Sequence, residues 1–326
     1  MRARRSKDMI AWEASGLVMT LADSLRDIRY FVAVYEERSF TAAAEREGAT
    51  QSGVSQHIRK LEARAGMALF LRGPAQVQPT PAADLYYRHC VEVLRLNDAA
   101  GQALRVYAGG LDGTCSIGLM PTMTRCVLAG ALVRFHERHP NVIVRIVEAY
   151  SAALLQQVRT GDVAFAIVPA GGDMHGLRAQ PFARTPELLV TAGGGADHRR
   201  PVRLADLPPL RIVTPAAQNA RAQTLRAYLA ASRARIAATM ELDTMFATLD
   251  LVARTDWVAI LPGVLMASDA APGRYTIRPL ADPPLALDLV AVQASSRALP
   301  AAAAAFLAVL AEETARLGAV WDDAAP

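Results

Sequence analysis

The stretch Ser39-Phe40-Thr41-Ala42-Ala43-Ala44 followed by Thr50-Gln51-Ser52-Gly53-Val54-Ser55-Gln56-His57-Ile58-Arg59-Lys60-Leu61 decides how the rest of the chain is read. Val54, Ile58 and Leu61 stand at i, i+4 and i+7, so one side of this segment is apolar at helical spacing and the other is polar. Ser39 and Thr50 precede the two apolar runs, where a hydroxyl accepts a hydrogen bond from a free backbone N–H of the first turn. The break at Gly48 separates the two helices. Upstream, Leu25, Ile28, Phe31, Val32 and Tyr35 mark a third helix. Downstream, Leu69-Phe70-Leu71-Arg72, a Gly73-Pro74 turn and Val77 predict two short strands around a loop, a wing.

Such a three-helix unit with a wing presents the first turns of its last helix to the major groove of DNA. Gln51, Ser52, Ser55 and Gln56 are therefore the candidates for base readout, with Thr41 beside them. Arg59, Lys60, Arg64 and, in the wing, Arg72 are candidates for phosphate. Taken alone, a polar helix face is simply a solvated one; its neighbours give it meaning.

From Pro81 to Tyr107 a long helical pattern runs through Leu85, Val91, Leu94, Leu96 and Leu104 to Gly109-Gly110. A single amphipathic helix between two domains, with no obvious partner in its own chain, points to dimerisation. Beyond Gly113 strands alternate with helices. The strands are Cys115 to Leu119, Val142 to Val147 and Val163 to Val168, then stretches near Leu188 to Thr191, Arg211 to Thr214 and Trp257 to Leu261. The helices are Val127 to His136 and Ala152 to Thr160, then Ala220 to Ala231 and Met245 to Ala253. This alternation predicts βαβ units, a mainly parallel sheet and two sub-domains with a cleft at the carboxyl ends of the strands.

Composition is compatible with that plan. At 326 residues the chain is long enough for a small domain and a larger one, and 52% apolar with 20% charged residues is ordinary for a globular protein. A net charge of +4 permits nucleic-acid binding without demonstrating it. Cys90, Cys115 and Cys126 lack CxxC pairing, so neither a disulfide frame nor a zinc site is expected, and a cytoplasmic location fits. The basic start, Met1 to Lys7, is followed by no apolar core of a signal peptide. Leu299 to Ala311 is Ala-rich and shorter than the roughly 20 residues that cross a bilayer.

The order Leu25-Arg26, Tyr30-Phe31-Val32-Ala33-Val34, Ser39-Phe40-Thr41-Ala42-Ala43-Ala44, Gln51-Ser52, Val54-Ser55, Leu61-Glu62, Gly66, Leu69-Phe70 and Arg72 resembles the LysR-type transcriptional regulators. The likeness continues through Ile117-Gly118-Leu119, Pro121-Thr122, Phe135, His139-Pro140-Asn141-Val142, Leu154-Leu155, Gly161 to Ile167 and Trp257 to Pro262.

The resemblance implies an α/β protein with an all-α winged helix-turn-helix at residues 24–82, a linker helix at 83–110, and an effector domain at 111–326. The effector domain would have two periplasmic-binding-protein-like sub-domains. It implies double-stranded DNA and a small organic or aromatic acid as partners, a homodimer or homotetramer, and RNA polymerase as a further candidate partner, with no cofactor and no membrane. Two departures stand out: Gln56 replaces a common Arg, and Ala75, Gln76 and Gln78 replace basic residues of the wing. Residues 1–23 precede the family's usual start near Leu25 and read as an extension, either a flexible arm or a misplaced start with Met19 as the true beginning.

Within the effector half, Thr122 follows a strand and Pro121 at the start of a helix, where unpaired N–H groups favour an anion and a hydroxyl adds a donor; the same hydroxyl would serve equally as a plain N-cap. Thr124 and Ser151 on the first sub-domain, and Thr214, Asn219 and Thr244 on the second, are candidates by the same logic. Arg125 could supply charge to a carboxylate. His136 and His139 have a metal-like spacing but no third ligand, and Gly193-Gly194-Gly195 lacks the Lys-Ser/Thr of a phosphate loop. The alternatives are an α/β enzyme with a helical oligomerisation module, and a solute-binding protein, which the missing signal peptide disfavours.

Overall fold

The computed structural model describes residues 24–72, 77–109, 111–216 and 219–324. It divides into two compact units, Met1–Cys90 and Val91–Pro326. The 1–23 extension and the turn of the wing at 73–76 lie outside the described residues, as does the side chain of Arg72.

In the first unit α1 (Leu25–Glu37), α2 (Phe40–Arg46) and α3 (Gln51–Ala65) precede β1 (Phe70–Arg72) and β2 (Val77–Pro79), which pair antiparallel. Each helix begins on a hydroxyl: Ser24, Ser39 and Thr50 accept from the backbone N–H groups of Asp27, Ala42 and Gly53. α3 ends at Gly66, whose φ of 67° suits glycine and lets the chain turn into the wing. Phe31, Ala43, Val54, Ile58, Leu61 and Phe70 form the sealed core. The helix that follows, α4 (Pro81–Gly109), is tied to α1 at its start. Tyr35 stacks on Tyr87 with ring centres 4.0 Å apart, Tyr35 Oη donates to Asp84, and Tyr87 Oη donates to Glu36.

The second unit continues with β3 (Gly113–Leu119), α5 (Pro121–Thr124), α6 (Val127–Arg138), β4 (Val142–Glu148), α7 (Ser151–Thr160), β5 (Phe165–Pro169) and β6 (Leu177–Ala192). Then come β7 (Leu210–Thr214), α8 (Ala220–Ala231), β8 (Ile236–Glu241), α9 (Met245–Arg254), β9 (Trp257–Pro262), α10 (Gly263–Met266), β10 (Tyr275–Pro279), β11 (Ala286–Ala294) and α11 (Ala301–Gly318). The strand order is β4-β3-β5-β11-β6-β9-β7-β8, with β10 also on β6.

β6 belongs to two lobes. Residues 177–186 pair with β11 in the first lobe, and 187–192 pair with β9 and β10 in the second. The expectation of a mainly parallel sheet is corrected here. β3 is parallel to β4 and β5, and β7 to β8 and β9, but β6 and β11 run antiparallel to their neighbours because both carry the chain between lobes. Each lobe buries both sheet faces. In the first, Ile117, Phe165 and Ile167 pack on Phe135 of α6 and Phe306 and Leu310 of α11, while Ala166 and Val168 meet Leu154 and Val158 of α7. In the second, Val190 and Ala259 face Leu249 and Val252 of α9, while Ile212 and Ile260 face Leu225 and Tyr228 of α8.

Candidate functional site

Two surfaces gather the residues that are candidates for function. The first is the outer face of α3, where the apolar side at Val54, Ile58 and Leu61 is wholly buried and Gln51, Ser52, Gln56, Arg59 and Lys60 are exposed. Thr41 is exposed on α2. Ser55 is not among these exposed residues: at 6% exposure it is buried, one position after Val54. Arg64 also departs from expectation. It reaches back to the buried carboxylate of Asp27 at 3.5 Å, and Asp27 is held in addition by His57 Nδ1. The pair anchors the middle and end of α3 to α1. Glu62 accepts from the backbone N–H groups of Leu69 and Phe70 at 2.8 and 3.0 Å, which sets the start of the wing.

The second surface is a cleft between the lobes of the second unit, at the carboxyl ends of β3, β4, β7, β8 and β9. Its wall includes Met120, Thr122 and Tyr150 from the first lobe and Thr214, Asn219, Arg221, Asp243, Thr244 and Thr248 from the second. The topology explains the location: helices leave the strand ends in opposite directions and part there. Tyr150, Asn219 and Thr244 are the N-caps of α7, α8 and α9, so three helix N-termini converge on the cavity; the side chains of Tyr150 and Thr244 do not cap their own helices. Partial positive charge at such ends favours an anion.

Of the six candidates, Thr122, Thr214, Asn219 and Thr244 line the cleft, and Thr124 and Ser151 do not. The Thr124 hydroxyl is spent on the Pro121 carbonyl and the Glu148 carboxylate, and the Ser151 hydroxyl on Met120 Sδ. Arg125 is pinned by Asp269 at 2.6 Å and by the Leu265 carbonyl, away from the cleft. Thr122 is different. It is 2% exposed, and its Oγ1 is sealed from solvent without a hydrogen-bond partner among the described residues. A buried hydroxyl without a protein partner carries a desolvation cost.

Sequence reasoning missed Arg221, Glu187, Tyr150 and Asp243. Arg221 and Glu187 are 6% and 3% exposed and joined by three contacts of 2.7 to 3.0 Å. Burial pushes the Glu187 carboxyl above its usual range while the Arg221 guanidinium pulls it back. Tyr150 Oη donates to the Asp243 carbonyl across the cleft, and the Asp243 carboxylate holds the Ala216 N–H and Asn219 Nδ2. Only the polar face of the loop before α8 hinted at any of these. None of the three cysteines lines the cleft; all are free thiols, and burial pushes Cys90 and Cys115 up to about 12 and about 11. Among the described residues no group of three or more His, Cys, Asp or Glu is placed to hold a metal, and no helix is long and apolar enough to cross a membrane.

Comparison with known proteins gives a consistent picture. A family model described as the bacterial regulatory helix-turn-helix protein of the lysR family matches residues 25–84, and one described as the LysR substrate binding domain matches 108–315. The transcriptional regulator BudR of Klebsiella aerogenes is 38% identical over 43% of this chain and 98% of its own length. The regulator IlvR of Caulobacter vibrioides is 30% identical over 80% of this chain and 89% of its own. Among solved structures, a hydrogen-peroxide-bound cysteine-to-serine mutant of Corynebacterium glutamicum OxyR superposes with a TM-score of 0.56 at 20% identity, covering 91% of this chain and 94% of that one. Full-length BenM does so at 0.52 and 19%, covering 91% and 97%.

Proposed function

Since this chain belongs to the LysR family of helix-turn-helix transcriptional regulators, we propose that the exposed face of α3 reads operator DNA and that the cleft between the two lobes holds the controlling effector. The family and its curated members are regulators and not enzymes, which sets aside the rival reading of an α/β catalyst.

On the DNA side, Gln51, Ser52 and Gln56 are assigned to base edges, and Thr41, Arg59, Lys60 and Arg72 to the backbone. On the sensor side, Thr122, Thr214, Asn219 and Thr244 are assigned to the effector, a small organic acid. The observation that carries this assignment is the orphaned Thr122 hydroxyl in a cleft where three helix N-termini meet. Assembly as a homodimer or homotetramer is supported by α4, which exposes Leu85, Val93, Leu96 and Leu104, an apolar stripe suited to a second copy. A cytoplasmic location and contact with RNA polymerase belong to the same proposal.

Footprinting on the operator tests the DNA half: paired protections about one helical turn or a multiple apart are expected. Protection of a lone half-site by a monomer would defeat it. For the sensor half, effector-dependent transcription by Thr122→Ala is expected to need more effector for half-maximal response, and an unchanged value removes Thr122 from the site.

A further inference from the structure

We propose that Arg221, oriented by Glu187, selects the effector, and that the cleft is built for a small monoanion, a monocarboxylate with a short body. This rests on the cleft being the effector site and adds what that site recognises.

Arg221 Nε and Nη2 face Glu187 side-on, and Nη2 also donates to the Ile260 carbonyl at 3.3 Å. Nη1 has no acceptor among the described residues, although Arg221 is 6% exposed and lines the cavity. A pair kept only for packing would turn every donor toward the protein, since a buried charge leaves donors unmatched at a cost. Here one nitrogen with two N–H groups is left without a protein acceptor in a residue that lines the cavity wall.

Glu187 explains how the cation is tolerated. It sits where β6 passes from one lobe to the other, and its carboxylate holds the guanidinium in one plane. It is a positioning residue. A ligand carboxylate at Nη1 would make charge-assisted hydrogen bonds in a site of low dielectric, about twice as strong as those of a neutral amide. The first lobe contributes the unpaired Thr122 hydroxyl to the same cavity, so one anion could take donors from both lobes.

The limits on the ligand come from size and sign. The cavity has a free volume of about 40 Å3, room for only a few heavy atoms unless the lobes separate. Asp243 is on the wall and Glu187 behind Arg221, so a second carboxylate would meet negative charge. One acid group is favoured, and a dianion is not.

Calorimetric titration of the full chain with propanoate, propanamide, malonate, benzoate and benzamide tests the proposal. Propanoate should bind, with propanamide and malonate roughly tenfold weaker or more, and benzoate, too large for the closed cavity, should bind more weakly than propanoate while still exceeding benzamide. The double variant Glu187→Gln with Arg221→Gln removes both buried charges and leaves a neutral amide at each position. In it the acid should weaken roughly 10- to 100-fold while the amide is unmoved, so that acid–amide discrimination disappears. The swap Glu187→Arg with Arg221→Glu keeps a buried pair but turns a carboxylate to the cleft, and should abolish acid binding. An unchanged acid-to-amide ratio in the double variant overturns the role of Arg221. If Thr122→Val weakens acid and amide alike while the double variant changes neither, the cleft stands and only Arg221 falls. If Thr122→Val also changes nothing, the cleft reading itself fails. A wild-type preference for malonate or the amides, or no binding by any of the five, overturns the monocarboxylate assignment.

Discussion

Replacing Thr122 by valine should stabilise the empty protein and weaken its hold on effector, two effects of opposite sign from one atom. Valine has nearly the shape of threonine, so packing around the 2% exposed side chain is preserved. What is removed is a hydroxyl sealed from solvent with no partner. Leaving such a group unsatisfied costs about 1–3 kcal/mol, which valine recovers. For a unit spanning 91–326, each kcal/mol moves the midpoint by roughly 2–4 °C, so the empty variant should melt about 2–12 °C higher. With effector bound the hydroxyl would donate one hydrogen bond, worth about 0.5–1.5 kcal/mol; because binding also relieves the penalty of the empty state, the two add to about 1.5–4.5 kcal/mol, and the variant should bind at least roughly 10-fold more weakly. Scanning calorimetry of both proteins, empty and titrated with the acid, measures the two effects separately. A lower melting point for the empty variant would show that the hydroxyl is already hydrogen-bonded, and the reasoning from an orphaned donor would be refuted.

Gln56→Ala should cost about 1–3 kcal/mol of operator affinity and relax preference at one position of each half-site, because glutamine pairs best with adenine N6 and N7. Selection of sites from random DNA checks this, and an unaltered consensus would remove Gln56 from base readout. Arg72→Ala should weaken all sequences alike and reduce the salt slope by about 1, readable from binding across a salt series. Asp27→Ala removes a carboxylate, 4% exposed, that holds the half-buried side chains of His57 and Arg64; losing hydrogen bonds to a charged group costs about 1.5–3 kcal/mol, and urea unfolding of the full chain should show it. Glu313, buried on α11 against Gly130, has its carboxyl held below the usual range by hydrogen bonds from Arg316 and, more weakly, by Arg134. Its contribution is therefore present above the unfolded value of about 4.3 and is lost as pH falls through the lower folded value. Glu313→Gln should be less stable at neutral pH and lose less stability below that range; identical acid unfolding profiles would contradict this.

The sequence by itself determined the reading head almost completely. Its helices are specified by interactions within a few residues: hydroxyl caps at Ser39 and Thr50, and the apolar side at Val54, Ile58 and Leu61, all of which the structure places as their spacing implies. The alternation of strands and helices likewise located the cleft, since strand ends are where crossover helices part, and Thr122, Thr214, Asn219 and Thr244 line it. Periodicity assigned no element to β8, β10, β11 or α11, and could not show that β6 and β11 run antiparallel, because strand direction is settled by which distant segments pair. Only the tertiary structure decided which polar groups are spent and which remain. Ser55 lies one position from the exposed face, and Arg125 finds Asp269 144 residues away. Arg221 meets Glu187 across 34 residues. Helix and cap formation are local and leave a pattern in the chain; the pairing of buried charge is set by folding distant residues into the same low-dielectric place.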